Sequence, residues 1–228
     1  MIAILLLIFF VFIEQNHPQP MLDLALFKRT TFSTSVISAM MNYICIYSIL
    51  FLLPFYLIQG RGFNPANAGM ILTIQPIVMA IVAPISGILS DRIGVQYPGT
   101  LGLFTLGIGI YMLSRLGSNS SILDIAKALS IVGLGTGIFI SPNNSALMGA
   151  APHNRQGIAA GVMATARSVG MVMGVGIAGA IFSTALRNHQ SLPENSRFII
   201  ATQTSFLPMV VFSMIGLIST AIRGKNYR

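Results

Sequence analysis

The chain has 228 residues, of which 54% are hydrophobic and only 8% charged, with mean hydropathy +0.79 and a formal net charge of +8. Soluble domains carry about 25% charged residues, so composition excludes a water-soluble enzyme, a nucleic-acid-binding domain and a disordered tail. The thirteen Lys and Arg stand singly or in pairs between apolar runs, a pattern that orients helices in a membrane rather than one that binds nucleic acid.

The first run, Met1 to Ile13, is wholly apolar but only 13 residues long. As a helix it reaches about 20 Å, short of a bilayer core of roughly 30 Å. It has no basic n-region and no small-residue cleavage site, so a signal peptide does not fit. It is expected to be a partial transmembrane helix over 1–13, the end of a longer one, with a cytoplasmic linker over 14–30. Six longer apolar segments follow, at roughly 31–58, 67–89, 99–116, 121–148, 157–186 and 199–222. Each reaches or nearly reaches crossing length, and a helix pairs its own backbone groups in lipid. The runs are too long and too uniformly apolar for barrel strands. The expected fold is therefore an all-α membrane protein, a six-helix transmembrane bundle over 31–228 plus the partial N-terminal helix.

Polar residues are few and placed along these segments. Asn42, Tyr43, Cys45 and Tyr47 fall on 31–58, and Gln75 precedes Pro76 on 67–89. Segment 121–148 opens on Ser121-Ile122-Leu123-Asp124, a capping-box spacing, with Lys127 one turn on to pair with Asp124. It then carries Gly133, Gly135 and Gly137, and Pro142 followed by Asn143, Asn144 and Ser145. Segment 157–186 pairs Gly157 with Gly161, Gly170 with Gly174 and Gly176 with Gly179. Small residues of this kind let backbones approach in lipid, where no hydrophobic force drives association. Pro54, Pro76, Pro84 and Pro142 each remove a backbone donor and bend a span. Arg167 lies nine residues beyond Ile158, about 14 Å along a helix. It can snorkel to the headgroups, pair with another helix, or line a cavity and meet an anionic group.

Basic residues set the orientation. With Thr30 at the cytoplasmic face, cytoplasmic segments hold Lys28, Arg29, Arg92, Arg155, Arg223, Lys225 and Arg228, against Arg61, Arg115, Arg187 and Arg197 outside. The C-terminus is then cytoplasmic. No Asp or Glu stands at the middle of any span, and His17, His153 and His189 all fall in loops. This chain alone thus offers no membrane-buried proton carrier. Metal-spaced histidines, a phosphate-binding loop and a nucleophile elbow are absent from the sequence, so no catalytic residue, metal or cofactor is expected.

Between the third and fourth runs, counting 1–13 as the first, the sequence reads Gly87-Ile88-Leu89-Ser90-Asp91-Arg92-Ile93-Gly94. Read as a short loop, it has Gly87 for close helix contact, Asp91 near a positive helix start, Arg92 to pair with a carboxylate or helix end, and Gly94 for a sharp turn. It resembles the G-x-L-x-D-R-x-G signature of the major facilitator superfamily. Four further stretches resemble the fourteen-helix drug/proton antiporter branch, in order: Pro20 to Phe32, Leu53 to Gly60, Ala68 to Leu72 with Pro76, and Arg155 to Gly161 with Arg167 and Gly170. Val95-Gln96 departs from the pattern, standing where that family usually has basic residues.

The resemblance covers nearly the whole chain but only the second half of such a protein. It implies a multidrug-type efflux transporter exchanging organic compounds for protons by alternating access, with an N-terminal half supplied elsewhere. It places Asn42, Tyr43, Tyr47, Gln75, Asn143, Asn144 and Arg167 on helices that line the central cavity. It gives Gly87, Asp91, Arg92 and Gly94 the part of a cytoplasmic latch, and it implies an internal three-plus-three repeat. The partners expected are membrane lipid, a small organic substrate, protons and the missing half, in the plasma membrane. A non-transporting remnant, or a membrane module that needs a separate N-terminal half, fits the same residues.

Overall fold

The computed structural model describes residues 24–223. The expected partial helix over 1–13 and residues 14–23 of the expected linker lie outside the described residues, as do 224–228. A four-residue helix, α1 (Leu24–Phe27), precedes α2 (Thr30–Phe55), whose end widens into a π turn over Tyr56–Gly60. Then come α3 (Pro65–Leu72), α4 (Ile74–Ile93), α5 (Gln96–Ser114), α6 (Ile122–Ala150), α7 (Gln156–Asn188) and α8 (Glu194–Ile222). Among the described residues, five spans are long and apolar enough to cross a membrane: α2 with its π turn, α3 with α4, α6, α7 and α8. The 19-residue α5 is the sixth helix of the bundle, and its polar first turn, Gln96-Tyr97-Pro98, dilutes its apolarity.

Local chemistry explains the boundaries. Asn64 caps α3 by accepting from the Ala66 amide at 2.9 Å, with Pro65 at the first helical position. The single segment expected over 67–89 is broken at Thr73. The cause is Pro76, which has no amide to offer the Leu72 carbonyl and crowds it with its ring. Ser121 forms both bonds of a capping box with Asp124 at the start of α6, at 3.1 and 2.9 Å. The reading of Gly87 to Gly94 as a loop is corrected: Gly87 to Ile93 are the last two turns of α4, and only Gly94 and Val95 join α4 to α5. An apolar residue at every third or fourth place carries the helix through the charged pair.

Packing exposes an internal symmetry that no local sequence pattern announces. Taking α2, α3–α4 and α5 as one triple and α6, α7 and α8 as the other, the first helix of each packs on the second and third of its counterpart. Thus α2 packs on α7 and α8, while α6 packs on α4 and α5; α2 also meets α6, and α5 meets α8. The core lies where these crossings converge, around Leu52, Leu103, Leu106, Ile110, Phe139 and Phe206. Glycine spacing on α6 serves two neighbours at once. Gly133 and Gly137 sit against Gln75, Val78 and Val82 of α4, and Gly135 sits against Gly102 and Leu106 of α5. Gly170 and Gly174 do the same for α7 against α2, whereas a Cβ at Gly157, Gly161 or Gly176 would meet nothing within 4 Å among the described residues.

Candidate functional site

Tyr43 and Tyr47 stand one turn apart on α2 and so share a face. Arg167 reaches them from α7. Its Nη2 donates to the Tyr47 hydroxyl at 3.5 Å, and its guanidinium carbon lies 5.9 Å from the centroid of the Tyr43 ring, within cation–π range. The approach depends on glycine. A Cβ at Gly170 would fall 2.8 Å from Tyr43 Cβ and 2.9 Å from the Met40 carbonyl oxygen. One turn on, Ser48 Oγ donates to the Gly174 carbonyl at 2.9 Å and fastens the seam. Both tyrosines are half-buried, and Arg167 is exposed.

An exposed guanidinium at this level has a physical consequence. Placing an arginine at the lipid-facing centre of a span costs at least about 2.5–3.5 kcal/mol. Asp91, Asp124 and Glu194 are the acidic residues among those described, all stand near helix ends, and none pairs with Arg167. Arginine carries five N–H donors, and Tyr47 takes one of them. This side of the α2–α7 seam therefore suits water, a ligand or another protein body better than acyl chains. Nearer their starts, the same two helices flank an apolar groove of about 780 Å³, lined by Val36 and Met40 of α2 and Val162 and Val169 of α7.

The other polar residues are distributed differently. Asn42 is fully buried on α2, and neither its Oδ1 nor its Nδ2 finds a partner among the described residues. Asn143 is equally buried but engaged: its Nδ2 donates to the Ser35 carbonyl at 3.1 Å, and its Oδ1 accepts from Ser38 Oγ at 3.1 Å and from Arg223 Nη2. Asn144, its neighbour, is exposed beside a 170 Å³ recess shared with Met148, Ala160 and Met163. Gln75 is half-buried in the first turn of α4. The structure thus brings Tyr43, Tyr47 and Arg167 together and leaves the asparagines and Gln75 at separate places.

Arg223 is the residue whose burial sequence reasoning missed. Counted above among the basic residues of the cytoplasmic segments, it is 1% exposed and reaches Ser38 of α2 at 3.3 Å as well as Asn143 of α6. A cation just past an apolar run reads as an interface anchor, and the Ser38 and Asn143 side chains that receive it lie on other helices.

The signature segment is built as follows. Gly87 faces α6 so closely that a Cβ would fall 2.7 Å from Ser141 Oγ, and Gly94 takes φ 86°, a conformation suited to glycine. Asp91 and Arg92 are both exposed, with no hydrogen bond or ion pair to any described residue. Residues 1–175 of the sequence match the family model for the Major Facilitator Superfamily. The chain belongs to the major facilitator superfamily. Within it, the sequence is 31% identical over 219 residues to the riboflavin transporter RibZ of Clostridioides difficile, covering 96% of this chain and 48% of that protein. It is 30% identical over 177 residues to the multidrug resistance protein Stp of Mycobacterium tuberculosis, covering 78% of this chain and 33% of that one. The chain spans about half the length of RibZ. A crystal structure of tetrameric PepTSo2 shares the fold, with TM-score 0.74 over 86% of this chain and 40% of that chain at 18% identity. As a major facilitator superfamily bundle, this is an integral membrane protein, and the all-α fold read from its sequence is the one it adopts.

Proposed function

We propose that the bundle is the C-terminal half of a multidrug-type efflux transporter. It pairs with an N-terminal half, and the two rock about a central cavity that opens to each side of the plasma membrane in turn. The observation that carries this reading is the Tyr43–Tyr47–Arg167 cluster, a charged and aromatic surface at span level with no carboxylate of its own among the described residues. Tyr43, Tyr47 and Arg167 contact the substrate in this reading, and Gln75, Asn144, Asn42 and Asn143 supply further polar groups as the helices shift. The wide exposure of α3–α4, whose most apolar window is 11% buried, supports a partner body beside it. The names of Stp and RibZ support an organic cargo.

Asp91 and Arg92, presented bare between Gly87 and Gly94, latch the cytoplasmic ends of the two halves. The C-terminus lies on the cytoplasmic side in this reading, which the excess of basic residues in the segments on that side supports. Proton exchange draws on a carboxylate of the other half, since the acids described here cap or end helices. Reconstitution tests the whole reading. Vesicles holding this chain and a separately expressed N-terminal half are expected to move a fluorescent drug against a proton gradient, and vesicles holding the chain alone are not. Equal inactivity of both preparations overturns the proposal.

A further inference from the structure

We infer that Arg167, Tyr43 and Tyr47 form a subsite for an aromatic compound bearing an acidic oxygen group, a carboxylate or a phosphate; the inference rests on the substrate-contact role proposed above and names its chemistry. Three observations carry it. The guanidinium is held rather than free: Tyr47 accepts one of its N–H groups at 3.5 Å, and the Tyr43 ring lies 5.9 Å away. The remaining donors stay open in a planar fork that matches two oxygens of one acid group. No described carboxylate neutralises the charge, and burying it bare in lipid is unfavourable.

An anion supplied by the ligand meets that need without a permanent internal partner. The half-buried Tyr43 and Tyr47 rings beside the guanidinium then select what carries the anion. An aromatic body stacks against them while its acid group takes the fork. A simple hydrophobic cation, by contrast, meets like charge at Arg167. The rigid seam matters here. Gly170 holds α7 against Tyr43, and Ser48 ties α2 to Gly174, so the three side chains share one frame.

A phospholipid headgroup carries the same anion, and the experiment separates the two sources. The full chain is placed in nanodiscs of phosphatidylcholine, and binding of 2-naphthoate is compared with that of its neutral isostere 2-naphthylmethanol by equilibrium dialysis. The anion is expected to bind about tenfold more tightly. Arg167→Gln is expected to erase that preference while leaving the neutral compound unaffected. Tyr47→Phe, which removes the acceptor that orients the guanidinium, is expected to weaken naphthoate alone. Tyr43→Leu is expected to weaken both compounds alike. All three side chains are part-exposed, and an unchanged thermal unfolding profile confirms that each variant is folded.

Equal binding of the two compounds to the unaltered chain, absence of naphthoate binding, or a preference that survives Arg167→Gln overturns the inference. Naphthoate binding that vanishes in discs containing phosphatidylglycerol assigns the site to lipid headgroups and overturns it as well. Binding is read without flux. A chain that binds in the expected pattern while the paired halves move nothing sinks the transport proposal alone, whereas drug flux without anion preference sinks this inference alone.

Discussion

Arg223, the residue that follows α8, donates its Nη2 to the Oδ1 of Asn143, which lies about two turns inside the end of α6. Ser38 of α2 joins the same acceptor. Three helices are thereby tied at one level by side chains, two of them the first helices of the two triples. Elsewhere in the bundle these helices meet mainly through apolar contact and close backbone approach, so this polar knot fixes their register where packing alone leaves it loose.

Asn143→Ala removes the shared acceptor and the donor to the Ser35 carbonyl together. It is expected to lower the stability of the bundle by about 1–3 kcal/mol, since the buried Ser38 hydroxyl and Arg223 Nη2 lose the acceptor they share. Thermal unfolding in detergent checks this. Asn144→Ala, one position on and exposed, is expected to leave the unfolding midpoint in place.

Glycines of α6 and α7 that look alike in sequence are expected to behave oppositely. A Cβ at Gly135 runs into the Leu106 amide and lies 2.7 Å from the Gly102 carbonyl oxygen, both backbone atoms that cannot swing away. Gly135→Ala is expected to cost about 1–3 kcal/mol as the helices are pushed apart. Gly176 has nothing within 4 Å of such a Cβ, and Gly176→Ala is expected to gain about 0.5–1 kcal/mol from backbone entropy alone. The same unfolding measurement on both variants decides.

These contrasts mark how far sequence carries in this protein. Segment lengths were legible because bilayer thickness fixes them. The Ser121–Asp124 cap was legible because both partners lie within one turn. Tyr43 and Tyr47 share a face by spacing, yet their meeting with Arg167 depends on Gly170 admitting α2, a contact between residues more than a hundred positions apart. The burial of Arg223 was illegible for the same reason. The signature segment misled in another way: Asp91 and Arg92 read as loop charges, although Ile88, Leu89 and Ile93 carry α4 through them.

Ser121→Ala tests the cap directly. It removes the oxygen that accepts from the Asp124 amide, and a loss of about 1 kcal/mol is expected. Ser121→Thr is expected to retain most of it. Amide hydrogen exchange in the first turn of α6 is the appropriate measurement, because fraying there need not unfold the bundle.

Asp91 and Gly94 separate latch from fold. Gly94 sits at φ 86° and ψ 162°, a region essentially closed to side-chain-bearing residues, so Gly94→Ala is expected to destabilise the bundle by about 1–3 kcal/mol. Asp91 is exposed and touches no described polar partner, so Asp91→Asn is expected to leave insertion and unfolding unchanged. In the paired transporter, Asp91→Asn is nevertheless expected to slow efflux about tenfold, because the charge acts between halves rather than within this one. Efflux measured at matched expression checks this: an unchanged rate removes Asp91 from the latch, whereas a lowered unfolding midpoint would make its role one of folding instead.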